Sequence, residues 1–434
     1  MTTLGEVRLW GRRIGAVSLE DDSDVAAFAY DPDFIASRIE VSPLWMPLSP
    51  QIFSFPELSR RSFHGLPGML ADALPDKYGS ALIDAWLAGQ GRTPQSFNAV
   101  ERLCYIGTRG MGALEFAPAL GPRRKVSSRV DIDALVQLAS DVLTQRLDLH
   151  GSFAEGRRAE ALRDILRVGT SAGGARAKAV IAWNPDTNEV RSGQVEASPG
   201  FGYWLMKFDG VANNRDKELV DPTGYGSVEY AYSRMAAAAG ITVPEARLFE
   251  EGGRRHFMVR RFDRTENGGK LHMQSLAALG HYDFNDPRAY SYEQAFLVIR
   301  QLGLDMTALE EQYRRMVFNV IGRNQDDHVK NIAFLMDRAG RWSLSPSFDL
   351  TWSYNPAGDW TSRHQMAVNG KRDGFEPEDF VAAARTAGLA RGRARDIVAT
   401  VADAIRQWPR FAAEAATGDA WERAVASTLR LELA

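Results

Sequence analysis

Two short segments hold the side chains best suited to chemistry: Asn324-Gln325-Asp326-Asp327-His328-Val329-Lys330-Asn331, and, a little further on, Ser347-Phe348-Asp349-Leu350. Asp326 and Asn331 stand five positions apart, and Asp349 follows a hydrophobic residue beyond a hairpin-length insert. Three oxygen-bearing side chains on polar loops can therefore converge on one point. Phosphoryl transfer uses this spacing. A catalytic-loop Asp accepts the hydroxyl proton, an Asn five residues on holds one Mg²⁺, and an Asp after a hydrophobic residue bridges the metal ions. On that chemistry Asp326 is the base, and Asn331 and Asp349 are the magnesium ligands. Asp326 is expected to be an exposed loop carboxylate that adds little to stability. Two other readings stay open here: Asp and Asn are ordinary turn formers, and His328 with carboxylates could hold a metal, although the two-His spacing of a helix-borne zinc site is missing.

Phosphoryl transfer also needs a cation on the phosphates and a glycine-bearing loop whose backbone can approach them. Lys207 closes the apolar run Tyr203-Trp204-Leu205-Met206-Lys207-Phe208, where an ammonium is costly unless paired. Glu229, on the segment that follows, is the expected partner. Upstream, Gly169-Thr170-Ser171-Ala172-Gly173-Gly174-Ala175-Arg176-Ala177-Lys178 leads into another apolar run and suits wrapping a phosphate through N–H groups. It matches neither the P-loop spacing nor GxGxxG.

These residues need elements to position them. Glu6–Trp10 and Ile14–Leu19 read as a hairpin turned at Gly11, and residues 63–79 as short helices between proline and glycine breaks. The breaker-rich run Gly121-Pro122-Arg123-Arg124-Lys125 closes a first domain, 1–120. A helix is expected over 131–149, then strands around 179–183, 203–208, 246–249 and 256–260, interrupted by one helix from Ser227 to Ala239. That layout makes 121–285 a small mixed lobe. Residues 286–434 read as a helical lobe, with amphipathic stretches at 292–302, 307–322, 377–386, 393–407 and 420–431 and one hairpin over 332–344. The first domain holds no catalytic constellation of its own and is expected to serve contacts.

Composition bounds the rest. The chain has 434 residues, 45% hydrophobic and 25% charged, with a net charge of −3, so no basic excess announces nucleic acid as the main ligand. One cysteine, Cys104, rules out an intrachain disulfide framework and a Cys-rich zinc site. No basic leader and no apolar run of bilayer-spanning length stands in the sequence, so no membrane partner is expected and the cytoplasm is the expected compartment.

With these residues in place, the chain resembles the HipA family of bacterial type II toxin–antitoxin Ser/Thr kinases. The likeness rests on Phe63-His64-Gly65-Leu66-Pro67 through Leu74-Pro75-Asp76, the loop Ser171–Lys178, the Lys207 strand, Arg261-Phe262-Asp263-Arg264, and Asp326–Asn331 with Phe348-Asp349. The resemblance implies an α+β, two-lobed protein-kinase-like fold behind a β-rich N-terminal subdomain. It implies ATP held by Gly173, Gly174, Ala175, Arg176, Ala177 and Lys178, by Lys207, by backbone at Arg260, Arg261 and Phe262, by His328, Val329, Lys330 and Asn331, and by Phe348 and Asp349, with Mg²⁺ as cofactor. It implies an aminoacyl-tRNA synthetase as protein substrate, a helix-turn-helix antitoxin of HipB type as partner, and operator DNA reached through that antitoxin. Ser171 matches the family's autophosphorylated serine. The loop departs from the commoner pattern, having Arg176 and Ala177 where Gln and Glu are usual. A small-molecule phosphotransferase of the aminoglycoside or choline kinase kind, and an inactive kinase-like corepressor, are the rival readings.

A phosphate on Ser171 would place about two negative charges beside the triphosphate, and repulsion between unit charges ~4 Å apart is on the order of 4 kcal/mol at an effective dielectric near 20. Ser171→Asp should therefore bind Mg-ATP poorly by calorimetry, while Ser171→Ala stays active. Mass spectrometry after exhaustive incubation with Mg-ATP distinguishes Ser171 from Thr170, and finding neither modified would sink the self-silencing idea.

Overall fold

The computed structural model describes residues 2–121, 129–144, 176–194, 198–211 and 224–434. The chain opens with an antiparallel sheet in the order β4-β3-β2-β1-β5, made of β1 (Thr2–Leu9), β2 (Arg12–Glu20), β3 (Ala27–Tyr30), β4 (Ile52–Phe53) and β5 (Leu114–Ala117). The first hairpin is tighter than the alternation suggests. Strand β1 ends at Leu9, and Trp10 and Gly11 both take positive φ, 51° and 80°, as a two-residue turn requires. Val7, Leu9, Ile14, Val17 and Phe28 fill the core under this sheet.

A second antiparallel sheet follows, in the order β7-β6-β8-β10-β9: β6 (Lys178–Asn184), β7 (Glu189–Ser192), β8 (Gly202–Lys207), β9 (Ala246–Glu251) and β10 (Arg254–Arg260). The helix Tyr225–Ala238 packs on β10 and β9. A third sheet, β11 (His272–Ser275), β12 (Ala333–Met336) and β13 (Trp342–Leu344), joins the strand before residue 285 to the hairpin beyond it. Helices dominate the C-terminal part, Tyr292–Gln301, Met306–Ile321, Pro377–Ala387, Arg391–Arg406, Trp408–Glu414 and Asp419–Ala426, with a non-helical stretch over 345–376. Their core gathers Tyr232, Tyr292, Tyr313, Phe318 and Trp408.

Two C-terminal details differ from the periodic reading. Pro409 starts a separate helix at Trp408. The last helix stops at Ala426 rather than near 431, because the chain there bonds to the rest of the lobe: Thr428 O accepts from Arg323 Nε at 2.8 Å, and Arg430 N donates to Ile321 O at 3.0 Å.

The N-terminal region is not a detached module. Tyr78 and Leu82, on the helix Lys77–Ala88, belong to the same core as Ile181, Trp204 and Met206 of the second sheet, and Met336 of β12 joins the core of the first. A buried charge network fastens the segment after β10 to the same region. Asp263 accepts from Arg261 Nη2 (2.7 Å), Arg264 Nη1 (2.6 Å) and the Gly112 amide (2.7 Å), and Arg264 reaches Gly112 O at 3.2 Å. Burial opposes the Asp263 carboxylate, but the two guanidiniums overcome it and hold its pKa well below the usual carboxylate range. Asp263→Ala would leave Arg261 buried and unpaired, and should cost about 3–5 kcal/mol. Urea unfolding measures this, and a loss below about 1 kcal/mol would show that the network is not structural.

Candidate active site

The site is assembled around Lys207. It ends β8, directly opposite Lys178 on β6 and Phe257 on β10, so the Lys178 and Lys207 side chains leave the same face of the sheet. Each lysine meets carboxylates from a different part of the chain. Lys178, 1% exposed, lies 2.8 Å from Asp76, which caps the helix Lys77–Ala88 and also accepts from the Gly79 amide at 2.7 Å. Lys207 is bonded to Glu229 and lies 2.5 Å from Asp349.

Glu229 reaches Lys207 because of local sequence. Tyr225, Val228, Glu229, Tyr232 and Met235 follow a 3.6-residue period that sets them on the buried face of their helix. Gly226 lets that helix approach β10, since a Cβ there would lie 2.6 Å from Arg255 O. Arg176 adds a second cation to Glu229 at 3.1 Å and lies over the Tyr225 ring. Burial raises the Glu229 pKa, with Lys207 and Arg176 opposing. For Lys207, burial works against the charge, but Asp349 and Glu229 overcome it and keep the pKa above the ordinary lysine value. Asp349 sits at φ 58°, a left-handed conformation that most L-residues avoid and that Asp tolerates.

The loop after the helix Met306–Ile321 brings in the other candidates. Asn331 Nδ2 donates to Asp326 O at 2.9 Å, which closes the six-residue turn. Asp326 is only 6% exposed, and its Oδ1 accepts from Trp360 Nε1 at 2.8 Å. The expected exposed carboxylate is therefore buried, because the segment after Asp349 folds back over it. His328 Nε2 lies 3.9 Å from the same oxygen.

A cleft of about 1230 Å³ runs between the lobes and the N-terminal region, and Lys207, Glu229, Arg260, Arg261, Phe262, His328, Lys330, Asn331, Phe348 and Asp349 all line it. Phe262 and Phe348 pack with ring centroids 5.4 Å apart. Val329 is buried. Ala177 and Lys178 are buried in the sheet. The Arg261 side chain is tied to Asp263, its amide donates to Tyr203 O at 2.9 Å, and the Arg260 amide donates to Glu245 O at 2.8 Å. Those two amides serve the protein's own backbone. Ser171, Gly173, Gly174 and Ala175, with Thr170, lie outside the described residues.

Sequence reasoning missed Asp76 and Trp360. Asp76 was visible only as the end of a Leu-Pro-Asp turn, and its partner is over a hundred residues away. The N-terminal region thus supplies both the carboxylate that pairs with Lys178 and part of the cleft wall, and serves more than external contacts.

A family model described as the HipA-like C-terminal domain matches residues 170–408, and one described as the HipA N-terminal domain matches residues 5–117. The chain belongs to the HipA family. HipA of Shewanella oneidensis MR-1, solved with HipB and operator DNA, superposes with a TM-score of 0.68 at 18% identity, covering 98% of this chain and 94% of that one. The fold is accordingly the two-lobed, kinase-like α+β fold of HipA. Two provisionally named kinases are also similar. One, from Haemophilus influenzae, is 25% identical over 135 residues, or 28% of this chain and 39% of that protein. The other, Y4dM of Sinorhizobium fredii, is 28% identical over 168 residues, or 34% of this chain and 37% of that protein. The matched stretches therefore span under two fifths of either relative. Among the described residues, no helix is long and apolar enough to cross a membrane.

Burial raises the Asp76 pKa and lowers that of Lys178, each opposed by the partner's charge, so the pair persists only because both members are present. Asp76→Ala should cost about 3–5 kcal/mol in thermal or urea unfolding and weaken Mg-ATP binding at least tenfold by calorimetry. An unchanged nucleotide affinity would place Lys178 outside the phosphate site.

Proposed function

We propose that this HipA-family chain is an ATP-dependent Ser/Thr protein kinase, the toxin of a toxin–antitoxin pair. The observation that carries the reading is the convergence on one cleft of Lys207, paired with Glu229 and Asp349, and of the loop that holds Asp326 and Asn331. Lys207 would bind phosphate oxygens, with Glu229 holding it in place. Asn331 and Asp349 fit a hard divalent cation, since both offer oxygen, and the Asn331 Nδ2 bond to Asp326 O turns the amide oxygen away from that carbonyl. ATP would supply its γ-phosphoryl group to the acceptor hydroxyl with ADP as the leaving group, and Mg²⁺ held by Asn331 and Asp349 would offset the phosphate charge. Asp326 accepts the proton of the acceptor hydroxyl. His328, Lys330, Phe348, the 260–262 segment and the loop from Gly173 to Lys178 complete the nucleotide site, and Ser171 is the autophosphorylated residue.

The protein substrate in this reading is an aminoacyl-tRNA synthetase, whose modification stalls translation. The partner is a helix-turn-helix antitoxin of HipB type that carries the pair to operator DNA. The Shewanella HipA, solved together with HipB and its operator, supports that assembly by analogy of fold.

The test is incubation with radiolabelled ATP and Mg²⁺, alone and with purified synthetases. Label should appear on a synthetase, and Asp326→Ala should lower transfer by about 10²-fold or more, the range expected for a lost general base. Transfer at the wild-type rate in that variant would remove Asp326 from the base role. Label on aminoglycosides or choline alone would make the chain a small-molecule phosphotransferase. Mg-ATP binding without transfer to any acceptor would make it a corepressor.

A further inference from the structure

The two adjacent aspartates of the candidate catalytic loop face different surroundings. Asp326 meets the Trp360 indole at 2.8 Å. Asp327 is turned into the lobe, where it accepts from Tyr292 OH (2.7 Å), His364 Nδ1 (2.8 Å) and the Gln365 amide (2.8 Å). His364 continues the chain of bonds: Arg430 Nη1 lies 3.0 Å from its Nε2. A guanidinium can only donate, so Nε2 accepts and Nδ1 carries the proton toward Asp327. Arg430 is also paired with Asp373. The segment from Trp360 to Gln365 is closed further by the Gln365 side-chain NH₂, which lies within hydrogen-bond reach of Trp360 O, of Arg363 O at 3.1 Å and of Gln325 O at 3.2 Å. Residues 360–365 are thus a strap across the catalytic loop, anchored beneath by Asp327 and reaching the cleft with Trp360.

We infer that Trp360 is a positioning residue for Asp326, and that Asp327, His364 and Arg430 set its reach. This rests on the kinase reading above. An indole N–H on Oδ1 fixes the plane of the Asp326 carboxylate and so the direction of its second oxygen. A carboxylate free to rotate about its Cβ–Cγ bond would meet the acceptor hydroxyl in a usable orientation only part of the time. Trp360 also lines the cleft beside His328, with ring centroids 6.5 Å apart, so the same indole borders the space an acceptor side chain must enter. His364 is fully buried and acts through the strap.

Trp360→Phe keeps the ring and removes the donor. Its kcat for phosphoryl transfer should fall 10- to 100-fold, with Mg-ATP affinity and the KM for ATP unchanged within twofold. His364→Ala should lower kcat in the same way, and the double variant should be no slower than the slower single variant, because both act on one carboxylate. A structural readout stands apart from turnover: in ¹⁵N-tryptophan-labelled protein, the Trp360 indole resonance, assigned by its absence in Trp360→Phe, should move in Asp326→Ala and in His364→Ala. An unchanged kcat in Trp360→Phe overturns the inference, and a raised kcat does too, making the indole an inhibitory cap. An indole resonance that Asp326→Ala leaves in place overturns it whatever the kinetics. If no acceptor is phosphorylated while the indole resonance responds as expected, the strap geometry stands and the kinase reading falls.

Discussion

Lys178 and Lys207 stand opposite each other on neighbouring strands of the second sheet, and the rest of the molecule is arranged around keeping both there. Like charges directly opposite in an antiparallel pair repel, and both ammoniums are buried. Neither would be tolerable alone. Asp76 comes from the N-terminal region, Glu229 from the helix packed on the same sheet, and Asp349 from the segment beyond the β12–β13 hairpin. Each carboxylate belongs to a different part of the chain, so satisfying the two lysines requires all three to be docked. The electrostatics that would bind a triphosphate are the same electrostatics that hold the parts together.

This arrangement explains why Lys207 and Lys178 have different surroundings. Lys178 has a buried partner, and burial outweighs pairing enough to lower its pKa. Lys207 touches Asp349, whose side chain is 29% exposed at the cleft, and its pKa is held above the ordinary value. In the proposed reading, this cation between a buried glutamate and a half-open aspartate would turn to a phosphate as Asp349 turned to a divalent cation. Arg176, 3.1 Å from Glu229, would keep that carboxylate compensated during such an exchange. That gives a role to the arginine that departs from the commoner family pattern.

A second buried polar system lies under the loop from Asp326 to Asn331. Asp327 accepts three hydrogen bonds, and Asn319 and Asn324 extend the network through Tyr292, with Asn319 Nδ2 donating to Tyr292 OH at 2.9 Å and Asn324 Nδ2 lying 3.0 Å from Asn319 Oδ1. Burial opposes the Asp327 charge, and His364 with the hydroxyl and amide donors overcomes it, so its carboxyl stays below the usual carboxylate range. The three bonds on Asp327 hold that carboxylate rigidly in a low-dielectric interior. Rigidity beneath the loop is what a positioned carboxylate above it needs.

The sequence by itself determined the strands that carry Lys207, the helix that carries Glu229 and the loop from Asp326 to Asn331, because hydrophobic period, glycine breaks and residue spacing are local properties of the chain. Glu229 as the partner of Lys207 was legible for the same reason: helical period sets it on the face that must be buried. Asp76 and Lys178 are 102 positions apart and Trp360 and Asp326 are 34 apart, and no local pattern marks either pair. Only the packed tertiary structure brings the Leu-Pro-Asp turn against β6 and lays the segment after Asp349 over the loop that holds Asp326. The burial of Asp326 was decided at the same level, since a polar loop reads as exposed until another part of the chain covers it. Partners fixed by local period can be read from residue order, whereas partners fixed by the docking of separate cores appear only when those cores share a surface.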